Sequence, residues 1–424
     1  MDRWMVMMAG ALAGMTLTVL AGCEPDDMPA YTPDGKQIVL VTNEAGGEQK
    51  VLWVVDPATG TSEARELPDG WKLAGARWLG DKLWVHCQRD EGTLKDKETG
   101  KEVLDKKTGQ PERDVQYRWA QYDLGTAKFA TGVMGVSGAL TGPFVGGYQG
   151  KAAVFVNTYP REENSKLPEE KEPAAGMMRF RMYEPEGMKE VRPPIEAVRV
   201  LTAGMGWWVR CEDKSEGIWR VSAKAEVFDG KGKRRCTVGE KALGAGEGWN
   251  ASMPDYARVS RDGSVVLLGF RGRQSSEGWL PEYGFMVVEV KTGKKIWGGG
   301  SDSFMGTPWV TKDEVWTLEP TWRDMQTGER TKRRLMSNKQ ESEFVLVRHR
   351  APAKGEENSL RDEFVAYKLE EGDKVSSYAP DAKGEKFLVA VEGKRPKLLI
   401  VPMRETVKVS DIVRIQLGKG GDGR

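Results

Sequence analysis

The residue types that most often carry chemistry are scarce in this chain. Two histidines occur, His86 and His349, and neither stands in an H-x-H or H-E-x-x-H spacing that would bind a metal. The G-x-S-x-G pattern of a serine nucleophile is absent. Carboxylates are abundant, but a catalytic pair for glycoside cleavage must converge from distant segments, which a sequence does not show. We therefore expect structural roles for both histidines and assign no catalytic residue, metal ligand or cofactor.

Three of the four cysteines lie within the body of the chain. Cys87, Cys211 and Cys236 show no metal-ligand spacing. In an exported protein disulfides can form, and an odd number of cysteines leaves at least one thiol unpaired. Cys211 and Cys236 are close in sequence, so a disulfide between them and two free buried thiols are both open.

The fourth cysteine, Cys23, follows an apolar segment at the N-terminus. Residues 1–22 begin with one basic residue, Arg3, continue from Trp4 to Leu20 without charge and end in two small residues. This pattern predicts a secretory signal peptide. The alternative is a transmembrane anchor, for which the segment is short and rich in glycine and alanine.

Residues 20–23, with the sequence LAGC, resemble the lipobox of bacterial lipoproteins. The resemblance implies that Cys23 is acylated and becomes the N-terminus after cleavage. Each buried acyl methylene contributes ~0.8 kcal/mol, so several chains make a stable anchor. In lipoproteins of this kind an aspartate after the cysteine often marks the inner membrane, and Glu24 stands here. We therefore expect an exported protein, lipid-anchored to the cell envelope through a short tether, residues 23–30, with the outer membrane or periplasmic side favoured.

The composition limits the classes of partner. Without residues 1–22 the chain loses one acid and one base, leaving 63 basic and 62 acidic residues and a net charge of +1. Such a balance gives no electrostatic footprint for nucleic acid. Fifty-one glycines and fifteen tryptophans, with few long helical patterns, indicate many short strands and turns.

A two-part sequence pattern recurs seven times, so the chain is organised as a series of repeats. The first part is a polar turn followed by a short apolar strand, with copies that begin at Thr32, Leu79, Gln149, Ala203, Ser260, Thr311 and Asp381. The second part is a strand, a polar turn and another strand, with copies that begin at Val51, Tyr117, Met177, Gly217, Tyr283, Glu363 and Pro396. Gly35 and Gly384 are separated by 349 residues and six intervals, which gives about 58 residues per unit.

The repeat predicts an all-β fold. A unit of a few antiparallel strands cannot bury both of its faces alone, and radial closure into a β-propeller leaves only short edges exposed. We predict a seven-bladed propeller with four-stranded antiparallel blades over residues 31–417, followed by a disordered tail at 418–424. We expect the C-terminal strand, 407–417, to pair with the first blade. A pair of β-sandwiches is the alternative, but it does not predict a fixed order of two parts.

Two families share features of the repeat. Residues 31–67, with the turn TPDG and a strand ending in DPATG, resemble the repeat of TolB-type propellers. Residues 286–297, MVVEVKTGKKIW, are similar to pyrroloquinoline-quinone-type propeller repeats, such as those of a lipoprotein subunit of outer-membrane assembly machinery. The resemblance implies a fold far more than a role, because propeller repeats occur in proteins of unrelated function. Quinoprotein enzymes also need residues that hold their cofactor, and no segment matches those.

Two long charged segments interrupt the repeat, at residues 89–114 and 321–360. The first looks like a charged hairpin. The second contains a basic cluster that would suit acidic lipid or a partner, with a solvated loop as the alternative: Arg330, Lys332, Arg333 and Arg334. Loops on a rigid scaffold often carry function. A shorter segment, 159–176, is rich in proline, glutamate and lysine and reads as a flexible surface loop.

The tryptophans divide into two groups. One group falls on or beside repeat strands, where it would pack between sheets: Trp53, Trp84, Trp207, Trp208, Trp219, Trp297, Trp309 and Trp316. The other group falls outside them and contains the best candidates for stacking on a glycan: Trp249, Trp279 and Trp322.

From these patterns we expect a binding or scaffolding module that docks an envelope protein or peptide on one propeller face, aided by the two charged inserts. The alternative is a propeller enzyme that acts on carbohydrate or a quinone-linked substrate at the central channel. Carboxylates clustered at the channel would favour the enzyme, and a channel lined by small or apolar residues would favour the scaffold.

Overall fold

The computed structural model describes residues 28–418 with the exception of 46, 48, 97–98, 105–108, 112, 135–143, 159–177, 185–188, 198, 214–221, 240–241, 244–253, 272–282, 302–305, 325–329, 332–339, 355 and 357–358. The predicted signal peptide, the predicted lipidation site Cys23 and residues 419–424 of the predicted tail lie outside these residues. Those three features stay predictions.

The described chain consists of short strands in groups of four, which we call blades. Blade 1 contains β1 (Ala30–Tyr31), β2 (Ile38–Asn43), β3 (Lys50–Asp56) and β4 (Thr61–Arg65), and blade 2 contains β5 (Lys72–Leu79), β6 (Lys82–Thr93), β7 (Arg113–Asp123) and β8 (Lys128–Met134). Blade 3 contains β9 (Phe144–Tyr148), β10 (Lys151–Thr158), β11 (Met178–Tyr183) and β12 (Glu190–Ala197), and blade 4 contains β13 (Arg199–Gly204), β14 (Trp207–Asp213), β15 (Ser222–Phe228) and β16 (Arg234–Gly239). Blade 5 contains β17 (Tyr256–Val259), β18 (Val265–Arg271), β19 (Tyr283–Glu289) and β20 (Lys295–Ser301). Blade 6 contains β21 (Trp309–Val310), β22 (Glu314–Asp324), the additional β23 (Arg330–Thr331), β24 (Gln340–Arg350) and β25 (Leu360–Lys368), and blade 7 contains β26 (Lys374–Pro380), β27 (Lys386–Glu392), β28 (Lys397–Pro402) and β29 (Val413–Gln416). Two short 3-10 helices, Pro68–Gly70 and Val409–Asp411, lie in connections.

Antiparallel pairing in chain order makes each blade, so the prediction of a β-propeller with four-stranded antiparallel blades is confirmed. Blades 1 and 2 belong to one eight-stranded sheet that is joined between them by the single pair Lys50–Leu73. The count of seven depends on dividing that sheet at this pair, and it stays a prediction.

The central strands read as continuous apolar runs because both faces of each blade are buried. In β27, Phe387 and Val389 face blade 6, while Leu388 and Ala390 face blade 1. The fourth strands are partly exposed, as in β4 with the sequence TSEAR. Burial therefore falls from the second and third strands to the outer edge of each blade.

Apolar side chains fill the seams between consecutive blades. Within the described residues such clusters join blades 1 and 2, 3 and 4, 4 and 5, 5 and 6, 6 and 7, and 7 and 1. In the last of these, Ile38 and Leu40 of blade 1 pack with Leu388 and Ile400 of blade 7. The propeller thus closes by packing one blade face against another.

The expected pairing of the C-terminal strand with the first blade is wrong. β29 pairs with β28 inside blade 7, with Leu398 opposite Ile415. Its contacts with blade 1 are made at the edge, where the Ser62 hydroxyl donates to the Gln416 carbonyl at 3.4 Å and accepts from the Gly418 N–H at 3.2 Å. Blade 7 already has its own first strand, β26, so the ring needs no strand from the other end of the chain.

In blade 6 the repeat assignment from sequence is also wrong. Residues 340–350, assigned to a charged insert, form the third strand β24, which pairs with β22 from Arg350 opposite Glu314 to Gln340 opposite Asp324. The segment that begins at Glu363 is instead the fourth strand, and it continues into the first strand of blade 7. The apolar core of β24 is only four residues long, and charged residues on both sides concealed it.

The structure has two opposite faces. We call the side that carries the turns between the first and second strands of the blades the turn face, which includes residues 32–37, 80–81, 149–150, 205–206, 260–264, 311–313 and 381–385. We call the opposite side the insert face. In blade 2 β6 ends there and β7 begins there, and in blade 6 β22 ends there and β24 begins there, with a long connection between the two strands of each pair. Between β6 and β7 of blade 2 two isolated antiparallel bridges, Lys95–Glu102 and Leu104–Pro111, close two separate local turns, and the first agrees with the expected charged hairpin.

No helix in the described ranges has the length and apolar character needed to cross a membrane.

Candidate functional site

A cavity of about 710 Å³ opens at the centre of the turn face, and we call it the mouth. Turns and first strands of blades 1, 2, 4, 5, 6 and 7 converge on it. Its side chains are contributed by Tyr31, Thr32, Pro33, Trp78, Met205, Arg258, Val259, Arg261, Pro308, Trp309, Val310, Pro380, Asp381, Lys383, Glu385 and Lys386, among others. The size of the cavity fits a small ligand or a few residues of a peptide.

Basic groups outnumber acidic ones in the lining of the mouth. Its four basic residues are Arg258, Arg261, Lys383 and Lys386, and its two acidic residues are Asp381 and Glu385. Arg261, from blade 5, donates to the carbonyl oxygen of Ala382 in blade 7, so a guanidinium links the turns of two blades that are not neighbours. The mouth therefore favours a ligand with negative charge.

Aromatic side chains supply the apolar part of the wall. Tyr31 and Trp309 are half-buried, and burial together with the nearby Asp381 carboxylate raises the pKa of Tyr31. Trp309 is fixed by the turn of blade 7, because its indole ring occupies the space that a Cβ atom on Gly384 would need. Gly384 also has a φ of +72°, so glycine is required there twice over. These contacts preorganise the wall before any ligand arrives.

Met205 stands at the rim between the mouth and a second cavity. It lies in the turn from β13 to β14 with a φ of +52° between two glycines, and it is 46% exposed. A non-glycine residue in this backbone region is uncommon, and strain of this kind often accompanies function. A flexible thioether side chain suits an adaptable contact. Met205 therefore belongs to the candidate site.

The second cavity, of about 560 Å³, lies on the turn face between blades 2, 3 and 4. Trp84 and Gln121 of blade 2 and Glu184 of blade 3 are among its lining residues. Its blade 4 wall is held by backbone contacts, since the Gly147 N–H donates to the Gly206 carbonyl at 2.9 Å. It shares Gly80 and Met205 with the mouth, so the two cavities are neighbours.

His349 has the structural role that the sequence predicts. It is 1% exposed, and its Nε2 lies 3.1 Å from Oε1 of the fully buried Glu319. Arg361 donates to the other carboxylate oxygen at 2.8 Å, and Phe285 of blade 5 packs edge-on against the imidazole. Burial raises the pKa of Glu319, but the hydrogen bond and charge of His349 and the charge of Arg361 outweigh it and hold the pKa well below its usual range. This network lies away from the mouth.

His86 is half-buried on β6, and the three cysteines of the body lie in the core. His86 stacks on Trp119 at 5.2 Å between ring centroids, and burial, with a smaller effect of Lys50, lowers its pKa to about 4. The three cysteines of the body are buried thiols, and no disulfide joins Cys211 to Cys236. Burial raises the pKa of Cys236 to about 11. The side chain is therefore a thiol at neutral pH and not the reactive thiolate.

Four of the tryptophans predicted to pack between sheets lie in the apolar clusters between blades, namely Trp53, Trp208, Trp297 and Trp316. Five are buried, namely Trp53, Trp84, Trp208, Trp297 and Trp316. Trp207 and Trp309 are half-buried, and Trp309 lines the mouth. Trp219, Trp249 and Trp279 and the side chain of Trp322 lie outside the described residues, so the glycan-stacking hypothesis stays a prediction.

The described ends of the two charged inserts lie on the insert face and the mouth lies on the turn face, and the expected docking on one face aided by both inserts stays a prediction. Lys332, Arg333 and Arg334 and the side chain of Arg330 lie outside the described residues. Among the residues that the structure describes, no group of three or more His, Cys, Asp or Glu side chains is arranged to hold a metal ion.

Sequence reasoning missed most of the mouth. The turn at Asp381 was recognised as part of the repeat, but Trp78, Met205 and Arg258 were not singled out. The sequence Gly204-Met205-Gly206 was the available indication, because a large apolar residue between two glycines in a turn is unusual.

No protein-family model and no curated protein matches this sequence. Solved structures that resemble it include oligogalacturonate lyase in complex with manganese, with 11% identity over 90% of each chain and a TM-score of 0.48. They also include the Dos1 propeller, with 10% identity over 86% of this chain and 88% of that one and a TM-score of 0.41. Hydrazine synthase from Kuenenia stuttgartiensis has 10% identity over 89% of this chain and 95% of that one, with a TM-score of 0.43. At these values the comparisons carry nothing about ligand or activity.

Proposed function

We propose that this protein is a lipid-anchored binding module of the cell envelope, whose turn-face mouth receives an acidic segment of a protein or peptide partner. Acylation of Cys23 is the anchor. Export and the envelope location follow from the N-terminal sequence pattern, which is independent of the mouth.

The observation that carries the proposal is the chemistry of the mouth. Arg258, Arg261 and the lysines of the blade 7 turn surround an aromatic wall, which suits a chain that carries both carboxylates and apolar side chains. Turns from six blades supply this lining and rest on buried strands, so the surface is rigid. A rigid surface lowers the ordering cost of binding on the side of the protein.

The lining also bears on the enzyme alternative. The two described carboxylates of the mouth, Asp381 and Glu385, lie in the same turn of blade 7. Acid-base cleavage of a glycoside requires two carboxyl groups that flank the bond from opposite sides. The described lining of the mouth supplies its two carboxylates from one turn only.

Photo-crosslinking in intact envelopes tests the proposal. A photoreactive amino acid replaces Ala382, which is exposed beside the mouth. We expect a defined crosslinked protein species, and the double variant Arg261→Glu/Lys383→Glu should lower its yield about tenfold, equivalent to ~1.4 kcal/mol. Lys101→Glu on the insert face is the matched charge reversal and should leave the yield unchanged.

Two further results decide the parts of the proposal. A species whose yield is insensitive to the mouth variants would contradict recognition of an acidic segment. The absence of any species would contradict docking at this face. Mass spectrometry of the mature N-terminus tests the anchor, and Cys23→Ser should release the protein into the soluble fraction.

A further inference from the structure

The mouth and the second cavity adjoin on the turn face. Gly80 of blade 2 and Met205 of blade 4 line both of them. Met205 is 46% exposed and its backbone is held in a turn between two glycines, so the thioether can adapt to a ligand while its base stays fixed. The two cavities, of about 710 and 560 Å³, thus form one groove that crosses the face from blade 7 to blade 3. We call it the groove.

The two parts of the groove differ in charge. The lining of the mouth has four basic and two acidic residues, whereas that of the second cavity has two of each. The basic residues of the second cavity are Lys82 and Lys151, and its acidic residues are Asp81 and Glu184. Lys82 lies 3.4 Å from the Asp81 carboxylate, so these two charges partly offset each other. The part of the groove at blades 5 and 7 therefore favours a negative charge, and the part at blades 2 and 3 favours an uncharged group.

Trp84 supplies an apolar wall to the second cavity. It is 4% exposed, yet it belongs to none of the apolar clusters that the described residues form between blades. Its neighbours Leu83 and Val85 pack towards blade 1, so Trp84 and its cross-strand partner Gln121 stand on the other face of blade 2. An indole beside an amide suits a chain that offers both apolar side chains and main-chain polar groups.

Glycines form much of the remaining wall of the second cavity, namely Gly80, Gly147, Gly150, Gly206 and Gly230. The backbones of blades 3 and 4 come so close here that a Cβ atom on Gly147 would lie 2.3 Å from the carbonyl oxygen of Gly230. A wall without side chains lets the main chain of a ligand approach the backbone closely. Main-chain hydrogen bonds are a common source of affinity for extended peptides, so this wall suits a peptide in an extended conformation.

We propose that the partner binds along the groove as one extended segment, with its carboxylates in the mouth and an uncharged stretch, including an apolar side chain against Trp84, in the second cavity. This inference rests on the proposed function, in which the mouth receives the acidic part of the segment. Because one chain joins the two parts, binding in one cavity raises the effective concentration of the segment at the other. Loss of contact in either cavity therefore weakens binding in both.

Photo-crosslinking at both ends of the groove tests the inference. A photoreactive amino acid replaces Ala382 at the mouth or Lys151 at the second cavity, both exposed, in the full-length protein in intact envelopes. Mass spectrometry then identifies the crosslinked residues of the partner. We expect both positions to capture one continuous stretch of the same protein, with its carboxylates on the side of the 382 crosslink. Ala58, exposed in the turn between β3 and β4 and outside both cavities, is the control position and should not capture that stretch.

Variants show whether the two parts of the groove hold one chain. The double variant Arg261→Glu/Lys383→Glu should lower the crosslinking yield at position 151 about tenfold, as at position 382, because the mouth anchors the same segment. Met205→Asn removes the thioether between the cavities and keeps a residue that tolerates this backbone conformation, so it should lower both yields by the same factor. A yield at position 151 that is insensitive to the double variant overturns the inference. An effect of Met205→Asn at one position only, or at neither, overturns it as well.

The outcomes separate this inference from the proposed function. Capture at position 382 with none at position 151 overturns the single extended segment and leaves recognition of an acidic segment at the mouth intact. Capture of a different protein, or of a distant stretch of the same protein, at position 151 has the same meaning. Capture of the expected stretch at position 58 overturns binding along the groove. The absence of capture at all positions contradicts docking at this face, and both proposals then fail together.

Discussion

Two seams of the propeller share apolar packing but differ in the charged groups buried beside it. Blades 7 and 1 meet through aliphatic side chains, with Ile38 and Leu40 against Leu388. Blades 5 and 6 enclose the buried carboxylate Glu319 with its imidazole and guanidinium partners, His349 and Arg361. The first seam brings the two ends of the described chain together, and the second joins two consecutive blades within residues 256–368.

The difference predicts how much stability each seam loses when one side chain is replaced. An aliphatic seam loses stability in proportion to the surface and volume that are removed. A buried ion network loses much more when a single partner is removed, because the remaining charges stay desolvated. The charged seam should therefore be the more fragile under substitution and the more sensitive to acid.

The largest effect is expected for Glu319→Ala. Removal of the carboxylate leaves His349 and Arg361 without their shared partner, and such losses cost about 3–5 kcal/mol. Urea unfolding measures the change in free energy. Asp90→Ala removes a carboxylate from an exposed pair with Arg113 and should leave the unfolding midpoint unchanged. Equal effects of the two variants would refute the special status of the charged seam.

Leu40→Ala should have the next largest effect. Leu40 is fully buried in the closing seam, and truncation of a buried leucine costs about 2–5 kcal/mol through lost apolar burial and a residual cavity. Leu104→Ala, on the exposed blade 2 insert, is the matched control and should change the free energy of unfolding little in solution. A small loss for Leu40→Ala would mean that the two ends of the chain are held by something other than this packing.

Acid should weaken the Glu319 network beside the seam between blades 5 and 6. The pKa of Glu319 is lower in the folded protein than in the unfolded chain, where a glutamate titrates at about 4.3. The unfolded chain therefore binds more protons as the pH falls below that value, and the contribution of Glu319 to stability is present above it and lost on acidification through the folded pKa.

The free energy of unfolding as a function of pH tests this expectation. Between about pH 5 and pH 3 the native protein and Leu40→Ala should lose stability along parallel curves, and Glu319→Gln should show a shallower curve. Parallel curves for all three proteins would show that other carboxylates cause the acid sensitivity.

The smallest effect is expected for Glu392→Ala at the closing seam. The Asn43 N–H donates to Oε1 of Glu392 at 2.9 Å, and Lys374 lies 3.2 Å from the other oxygen. Loss of this acceptor should cost about 1 kcal/mol. Glu392→Gln keeps an acceptor oxygen and should lose less. Chemical denaturation of both variants makes the comparison, and a larger loss for Gln than for Ala would contradict the role of the hydrogen bond.

Much of the fold was predictable because turns and strands leave local marks. The turn TPDG followed by an apolar run correctly located the first turn and β2, and the related turn PDAKG at 380–384 located the turn at Asp381. Blade 6 was assigned incorrectly because the apolar part of β24, residues 344–347, is short and lies between charged residues that resemble a loop. Local patterns also cannot say which strand closes a ring, since that depends on how many strands each end of the chain already supplies.

The candidate site was much less predictable than the fold. Trp78, Met205 and Arg258 come from blades 2, 4 and 5, and they meet only because the blades are arranged around one axis. The spacing of these residues along the chain carries no information about the positions that their blades take around this axis. The buried partner of His349 was hidden for a related reason, since Glu319 lies thirty residues away on a neighbouring strand.

The closing blade is built entirely from one contiguous stretch, β26 to β29, and so is every other blade. A gene duplication or deletion of one whole unit would therefore leave the pairing inside all remaining blades intact, because no strand is shared between the two ends of the chain. Growth or shrinkage of such a ring needs only a change in the angle at each seam. The architecture is thus open to change in blade number during evolution in a way that a ring latched by an exchanged strand is not.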